Sequence, residues 1–92
     1  FGSPDPKRQF AWLQAAADAG DPGAMMRLYR SYAAGIGVDA APDLALAWLQ
    51  KAADRGDRRA ARELAAAYTV GFGTEADPEQ AAFWRARAEV VN

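Results

Sequence analysis

The 92-residue sequence predicts an all-α fold, a solenoid of five antiparallel helices, and three observations predict it. The chain repeats itself: Trp12, Trp48 and Trp84 lie 36 residues apart, as do Pro6, Pro42 and Pro78. Periods of about 20 to 50 residues indicate stacked supersecondary units, each too thin to bury its apolar face alone. Within each period the apolar residues recur at helical spacing, and no segment alternates as a strand would. Finally, 24 of the residues are alanine, a composition that suits helices in close approach rather than a bulky central core.

Each element carries its own signals. Asp5-Pro6 sets a capping carboxylate before a proline at the first helical position, where the missing N–H costs nothing. Phe10, Leu13 and Ala17, with Trp12 and Ala16 alongside, then predict a helix over 6–19. Gly20-Asp21-Pro22 reads as a glycine stop followed directly by the next cap. Ala24, Leu28 and Tyr32, flanked by Met25, predict a helix over 22–34, ended by Gly35 and Gly37 in conformations that need positive φ. The cycle returns: Leu46, Leu49 and Ala53 predict 42–55, Gly56-Asp57 punctuates, and Ala60, Leu64 and Tyr68 predict 58–70. After Gly71 and Gly73, Asp77-Pro78 opens a helix over 78–90, with Gln80 completing a capping-box pattern. Residues 5–40 laid over 41–76 without a gap match at 16 of 36 positions, far above chance even for an alanine-rich chain.

The pattern A-x3-L-x3-Y-x2-G-x-G, followed by P-x5-W-x3-A-A-x2-G, resembles the Sel-1-like repeat, a subfamily of the tetratricopeptide-like α-solenoids. Ala24, Leu28, Tyr32, Gly35, Gly37, Trp48, Ala52, Ala53 and Gly56 carry the resemblance, and Ala60, Leu64, Tyr68, Gly71, Gly73, Trp84 and Ala88 repeat it. The resemblance implies a right-handed α-α superhelix. In its frame residues 5–20 are a half repeat, 21–56 a full repeat, and 57–92 a second repeat and C-terminal cap. Tyr29 and Ala65 stand where the family usually has glycine, so looser or rearranged helix contacts are expected there. The last helix also departs from the earlier ones: Arg85 replaces Leu13 and Leu49, and Glu89 replaces Ala17 and Ala53. Polar replacement of a stacking face is how solenoids stop, so the segment is expected to end a longer array.

Composition excludes several function classes. A net charge of −1 gives no general attraction to nucleic acid or to anionic membrane. No apolar run approaches a membrane span, and the first residues show no signal-peptide pattern. The chain has neither cysteine nor histidine, which removes disulfides, thiolate chemistry, the commonest general base and the commonest metal ligand. Ser3, Ser31, Thr69 and Thr74 are the hydroxyls, with no imidazole to activate them, so no catalytic residues, cofactor or metal are expected. The Gly-x-Gly loops lack the preceding strand and the lysine of a phosphate cradle. Glu75, Asp77 and Glu79 lack the ligand spacing of a calcium loop, and helix capping explains them. The recurring tryptophans and tyrosines are expected to fill the spaces between alanine-rich helices.

Arginine is the residue that stands out: nine against two lysines, with Arg58, Arg59 and Arg62 in the first turn of one helix. Cations there oppose the helix dipole, which stability alone would not select. In tetratricopeptide-like arrays the helix bearing the leucine and tyrosine lines the concave face. By that geometry Met26, Arg30 and Ala33 face the groove from one repeat, and Arg59, Arg62, Ala66 and Thr69 from the next. Met26, Arg30, Arg59, Arg62 and Thr69 are therefore the expected partner-binding residues, the arginines gripping carboxylates bidentately. The alternative is a solvated face in which Arg59 pairs with Glu63 along the helix.

The expected function is a scaffold or adaptor that binds another protein, through an acidic segment, in its concave groove. A module for an anionic polysaccharide or cell-wall glycan is the alternative, and the arginines fit both. An isolated fragment is expected to be monomeric, with self-association through the 6–19 face as a third possibility. Alanine and arginine richness points to a bacterial genome. The resemblance favours the periplasm or cell envelope over the cytoplasm, while the residues themselves leave the compartment open.

Overall fold

The computed structural model describes residues 5–89, and within them the chain is five helices joined by short turns. They are α1 (Pro6–Asp18), α2 (Pro22–Ala34), α3 (Pro42–Asp54), α4 (Arg58–Val70) and α5 (Pro78–Glu89). Every predicted helix is present, with boundaries within a residue; the expected last residue of α5, Val90, lies outside the described residues.

Local chemistry sets the ends. The Asp21 carboxylate accepts from the Gly23 N–H at 3.0 Å, and Asp57 accepts from the Arg59 and Ala60 N–H groups at 2.9 and 3.1 Å. Asp77 likewise accepts from Glu79 and Gln80. The expected capping box is only half built. The Asp77 N–H that Gln80 would have served instead donates to the Tyr68 carbonyl at 2.9 Å, as the Ala41 N–H donates to Tyr32 at 2.8 Å. The chain thus returns onto the end of the preceding helix before starting the next. Gly37 and Gly73 allow that return. Each has a positive φ (76° and 74°), and a Cβ on either would overlap a backbone carbonyl, Pro6 or Pro42, at the start of the helix before.

Each helix packs on its chain neighbours, α1 on α2, α2 on α3, α3 on α4 and α4 on α5. The result is an elongated layer with extents of 46 × 30 × 19 Å. Its spine is Leu28, Leu49 and Leu64, all fully buried, each contributing about 1.5–3 kcal/mol of burial. Around them Ala24, Ala52, Ala53, Ala60, Ala61 and Ala65 let the backbones approach closely, and Met25 and Met26 fill the remaining space. Ala65 is buried, so the contact at this replaced glycine is not loosened; at the other such position Tyr29 turns its ring edge-on to Phe72.

The three tryptophans share a repeat position but not an environment. Trp84 is 5% exposed and lies against α4, whereas Trp48 is half-buried with the Lys51 ammonium 4.5 Å above its ring. Trp12 is 79% exposed. The expectation that all three fill gaps between helices therefore fails at Trp12, because among the described residues no helix precedes α1 to cover it.

Candidate protein-interaction surface

Two regions of the surface carry arginines, one on α2 and α4 and one between α4 and α5. The first is a stripe that α2 and α4 present away from their neighbours. Arg27, Arg30 and Ala34 are exposed along α2; Glu63, Ala66 and Val70 are exposed 36 residues on along α4, together with Arg59. The Tyr29 hydroxyl joins the two helices by donating to Glu63 Oε2 at 3.3 Å. Burial raises the Tyr29 pKa, and the nearby Glu63 carboxylate adds to the effect by charge and by accepting the hydroxyl proton. Glu63 thus has an acceptor role toward α2, besides any pairing with Arg59 on its own helix.

The second region is an open groove between α4 and α5. Arg58, Arg62 and Arg85 line it over a floor of Ala65, Ala66 and Ala88, with Thr69, Val70 and Glu89 completing the wall. Its volume is about 680 Å³. Arg58 opens the first turn of α4 but crosses to α5, where its Nε donates to the Ala88 carbonyl at 3.1 Å. There the cation meets the negative end of a helix dipole instead of the positive one. At the far end Arg85 Nη2 lies 3.4 Å from Thr69 Oγ1, whose own proton goes to the Ala65 carbonyl at 2.8 Å.

The five sequence-predicted binding residues therefore do not form one patch. Met26 is 3% exposed and belongs to the core, since α4 and α3 close over that position. It offers no surface to a partner. Arg62 and Thr69 lie together in the α4–α5 groove, while Arg30 and Arg59 are exposed outside it, on the α2–α4 stripe. Arg27, Arg58 and Arg85 were not among the expected binding residues. Repeat register identifies the last two: Arg85 aligns with Leu49 and Arg58 with Pro22, so both lie where the preceding repeat carries a neighbour.

Among the described residues no cluster of three or more histidine, cysteine, aspartate or glutamate side chains is placed to hold a metal ion. No helix there is long and apolar enough to cross a membrane.

Comparison with known proteins agrees with this architecture. No curated protein matches the chain by sequence. Among solved structures, a Sel1 repeat protein from Oxalobacter formigenes is 33% identical with a TM-score of 0.82, over 86% of this chain and 60% of its own. The c5321 protective antigen present in uropathogenic Escherichia coli strains, which displays the same repeat fold, is 26% identical with a TM-score of 0.88, over 91% of this chain and 18% of its own. Helicobacter pylori cysteine rich protein B shares the fold at 21% identity and a TM-score of 0.85, over 89% of this chain and 62% of its own. The chain thus spans less than two thirds of the length of each. The Sel1 repeat family model matches residues 1–21, 22–57 and 58–88 in succession. With nearly every residue inside a matched repeat and the helices stacked as such repeats stack, the chain belongs to the Sel1 repeat family.

Proposed function

We propose that this chain is a scaffold module whose α2–α4 stripe holds an acidic segment of a partner protein. Sel1 repeat proteins generally mediate protein–protein interactions, and the fold is typically a non-catalytic interaction module. The observation that carries the finer reading is the exposure of Arg27, Arg30 and Arg59 on two helices linked by the Tyr29–Glu63 bond. Guanidinium groups on a rigid helical surface lose little order on binding and match carboxylates with two parallel hydrogen bonds. A stacked repeat supplies such a surface from a modest core, because each helix is braced by its neighbours rather than by a deep interior. The alanines between the arginines keep the stripe shallow enough for an extended or helical segment to lie along it.

The test is affinity capture from the native lysate with the wild type and with Arg30→Glu/Arg59→Glu, both first shown to be folded by circular dichroism. The proposal expects at least one protein held by the wild type and lost by the variant, with retention falling as salt is raised. An identical set of proteins on both baits would remove the stripe as the site. Binding of an anionic polysaccharide by the wild type, with no protein captured, would replace the partner by a glycan.

A further inference from the structure

The α4–α5 groove has an internal counterpart that shows what shape of ligand such a face accepts. Shifted back by 36 residues, Arg62, Arg85, Ala88 and Glu89 fall on Met26, Leu49, Ala52 and Ala53. Those four residues are 3%, 0%, 0% and 2% exposed, and they share one core cluster with Ala60, Ala61 and Leu64 of α4. The face formed by α2 and α3 is therefore a seat for a helix, and α4 occupies it. The same backbone arrangement, formed by α4 and α5, is open among the described residues and differs in chemistry at its rim. Two apolar floor residues have become arginines, while Ala88 keeps the small residue of the original seat.

We infer that the α4–α5 groove is a docking seat for an acidic amphipathic helix of a partner protein, with Arg62 and Arg85 reading its carboxylates. The occupant is a helix because the equivalent seat inside this molecule holds one. It is acidic because Arg58, Arg62 and Arg85 outnumber Glu89 along the lining, and charge complementarity selects the partner. The seat keeps an apolar floor in Ala65, Ala66 and Ala88, so the helix needs small residues on the stripe it buries and glutamates on the flanks. From Arg58 to Thr69 along α4 is about 16 Å at about 1.5 Å per residue, the length of three helical turns. This site adjoins the α2–α4 stripe at Ala66 and Val70 but has its own arginines, and it does not depend on the stripe's having a partner.

The probe is a fluorescein-labelled helical peptide of about 16 residues, alanine along one stripe and glutamate on both flanks, long enough to run the groove at about 1.5 Å per residue. Its affinity is read by fluorescence anisotropy against the wild type, Arg62→Gln/Arg85→Gln, Arg62→Met/Arg85→Leu and Arg30→Glu/Arg59→Glu. The Arg30→Glu/Arg59→Glu variant should lose less binding than either groove variant. Both groove variants should bind about tenfold more weakly or worse, since each loses two charge-assisted contacts. Raising the ionic strength to about 0.5 M should weaken wild-type binding by screening. In addition, Arg62→Met/Arg85→Leu restores the apolar floor of the internal seat and should self-associate on sedimentation, whereas the glutamine pair should not. The inference is overturned if the peptide does not bind, if a glutamine-flanked peptide binds as well, or if Arg62→Gln/Arg85→Gln binds as the wild type does. Loss of binding in Arg30→Glu/Arg59→Glu but not in the groove variants would assign the peptide to the stripe and equally reject the groove.

Discussion

Residues 22–57 and 58–88 are two copies of one repeat, yet the same positions do opposite work in them. Met26 and Leu49 are sealed in the core; Arg62 and Arg85, their counterparts, are exposed to solvent. The order of helices and the Gly-x-Gly loops are alike in both copies, so they do not account for this. What differs is the neighbour: α4 covers the first copy, and no described helix covers the second. Burial in a stacked array is thus a property of the junction between repeats. The first helix teaches the same from the other side. Trp12 stands in solvent at the position where Trp84 lies against α4.

The comparison can be broken most forcefully at the junction. Leu49→Ala removes a fully buried side chain held among closely packed alanines and should cost about 3 kcal/mol. Arg85→Ala, at the equivalent exposed position, should cost about 0.5 kcal/mol or less. Urea unfolding of the two variants measures the contrast directly.

The inter-repeat return is the next most sensitive feature. Gly73→Ala combines a positive φ with a Cβ overlapping the Pro42 carbonyl, and should cost at least about 2 kcal/mol. Gly56→Ala has a positive φ but nothing within 4 Å of the new Cβ, and should cost about 1 kcal/mol. Equal losses would show that left-handed backbone, and not close approach, sets the requirement at both sites.

Caps come next. Asp57 accepts from two N–H groups and Asp5 from one, at Lys7. Asp57→Ala should therefore lower stability by about 1 kcal/mol and Asp5→Ala by about half of that. Thermal melts followed by circular dichroism would rank them.

The smallest effect belongs to the Tyr29–Glu63 bridge, where Tyr29→Phe should cost about 0.5 kcal/mol at neutral pH. Its pH dependence has a definite sign. The folded Tyr29 pKa lies above the ordinary 10.0, so the unfolded chain loses its phenolic proton first. The contribution is whole below pH 10.0 and declines as pH rises through the folded value. Tyr29→Phe should lack this part of the alkaline decline; identical alkaline profiles would mean that Tyr29 keeps its ordinary environment.

Much of this architecture is written in local signals. Aspartate precedes α1, α2, α4 and α5, glycine closes the turns after α1, α2, α3 and α4, Pro6, Pro22, Pro42 and Pro78 mark four starts, and the leucine spine follows from helical spacing, so the five helices can be placed from sequence. The candidate surface is less legible, for a physical reason. Counting around α2 from Leu28 places Met26 outside its own helix pair, but only the next repeat decides that the position is covered. Arg62 is exposed, yet Arg58 and Arg85 join it in one groove only because α5 packs back along α4. Trp12 was misread by the same logic: its type suggests burial, and its junction leaves it open.

The most direct test exchanges the two residues that the comparison rests on, Met26→Arg in one variant and Arg62→Met in the other, with stability read from urea unfolding. If the junction decides, Met26→Arg buries an unpaired guanidinium beneath α4 and should lose at least about 3 kcal/mol, while Arg62→Met should change stability by about 0.5 kcal/mol or less. Similar losses from both exchanges would contradict the account, because they would show that the repeat position itself, and not the neighbour stacked upon it, dictates what the residue must be.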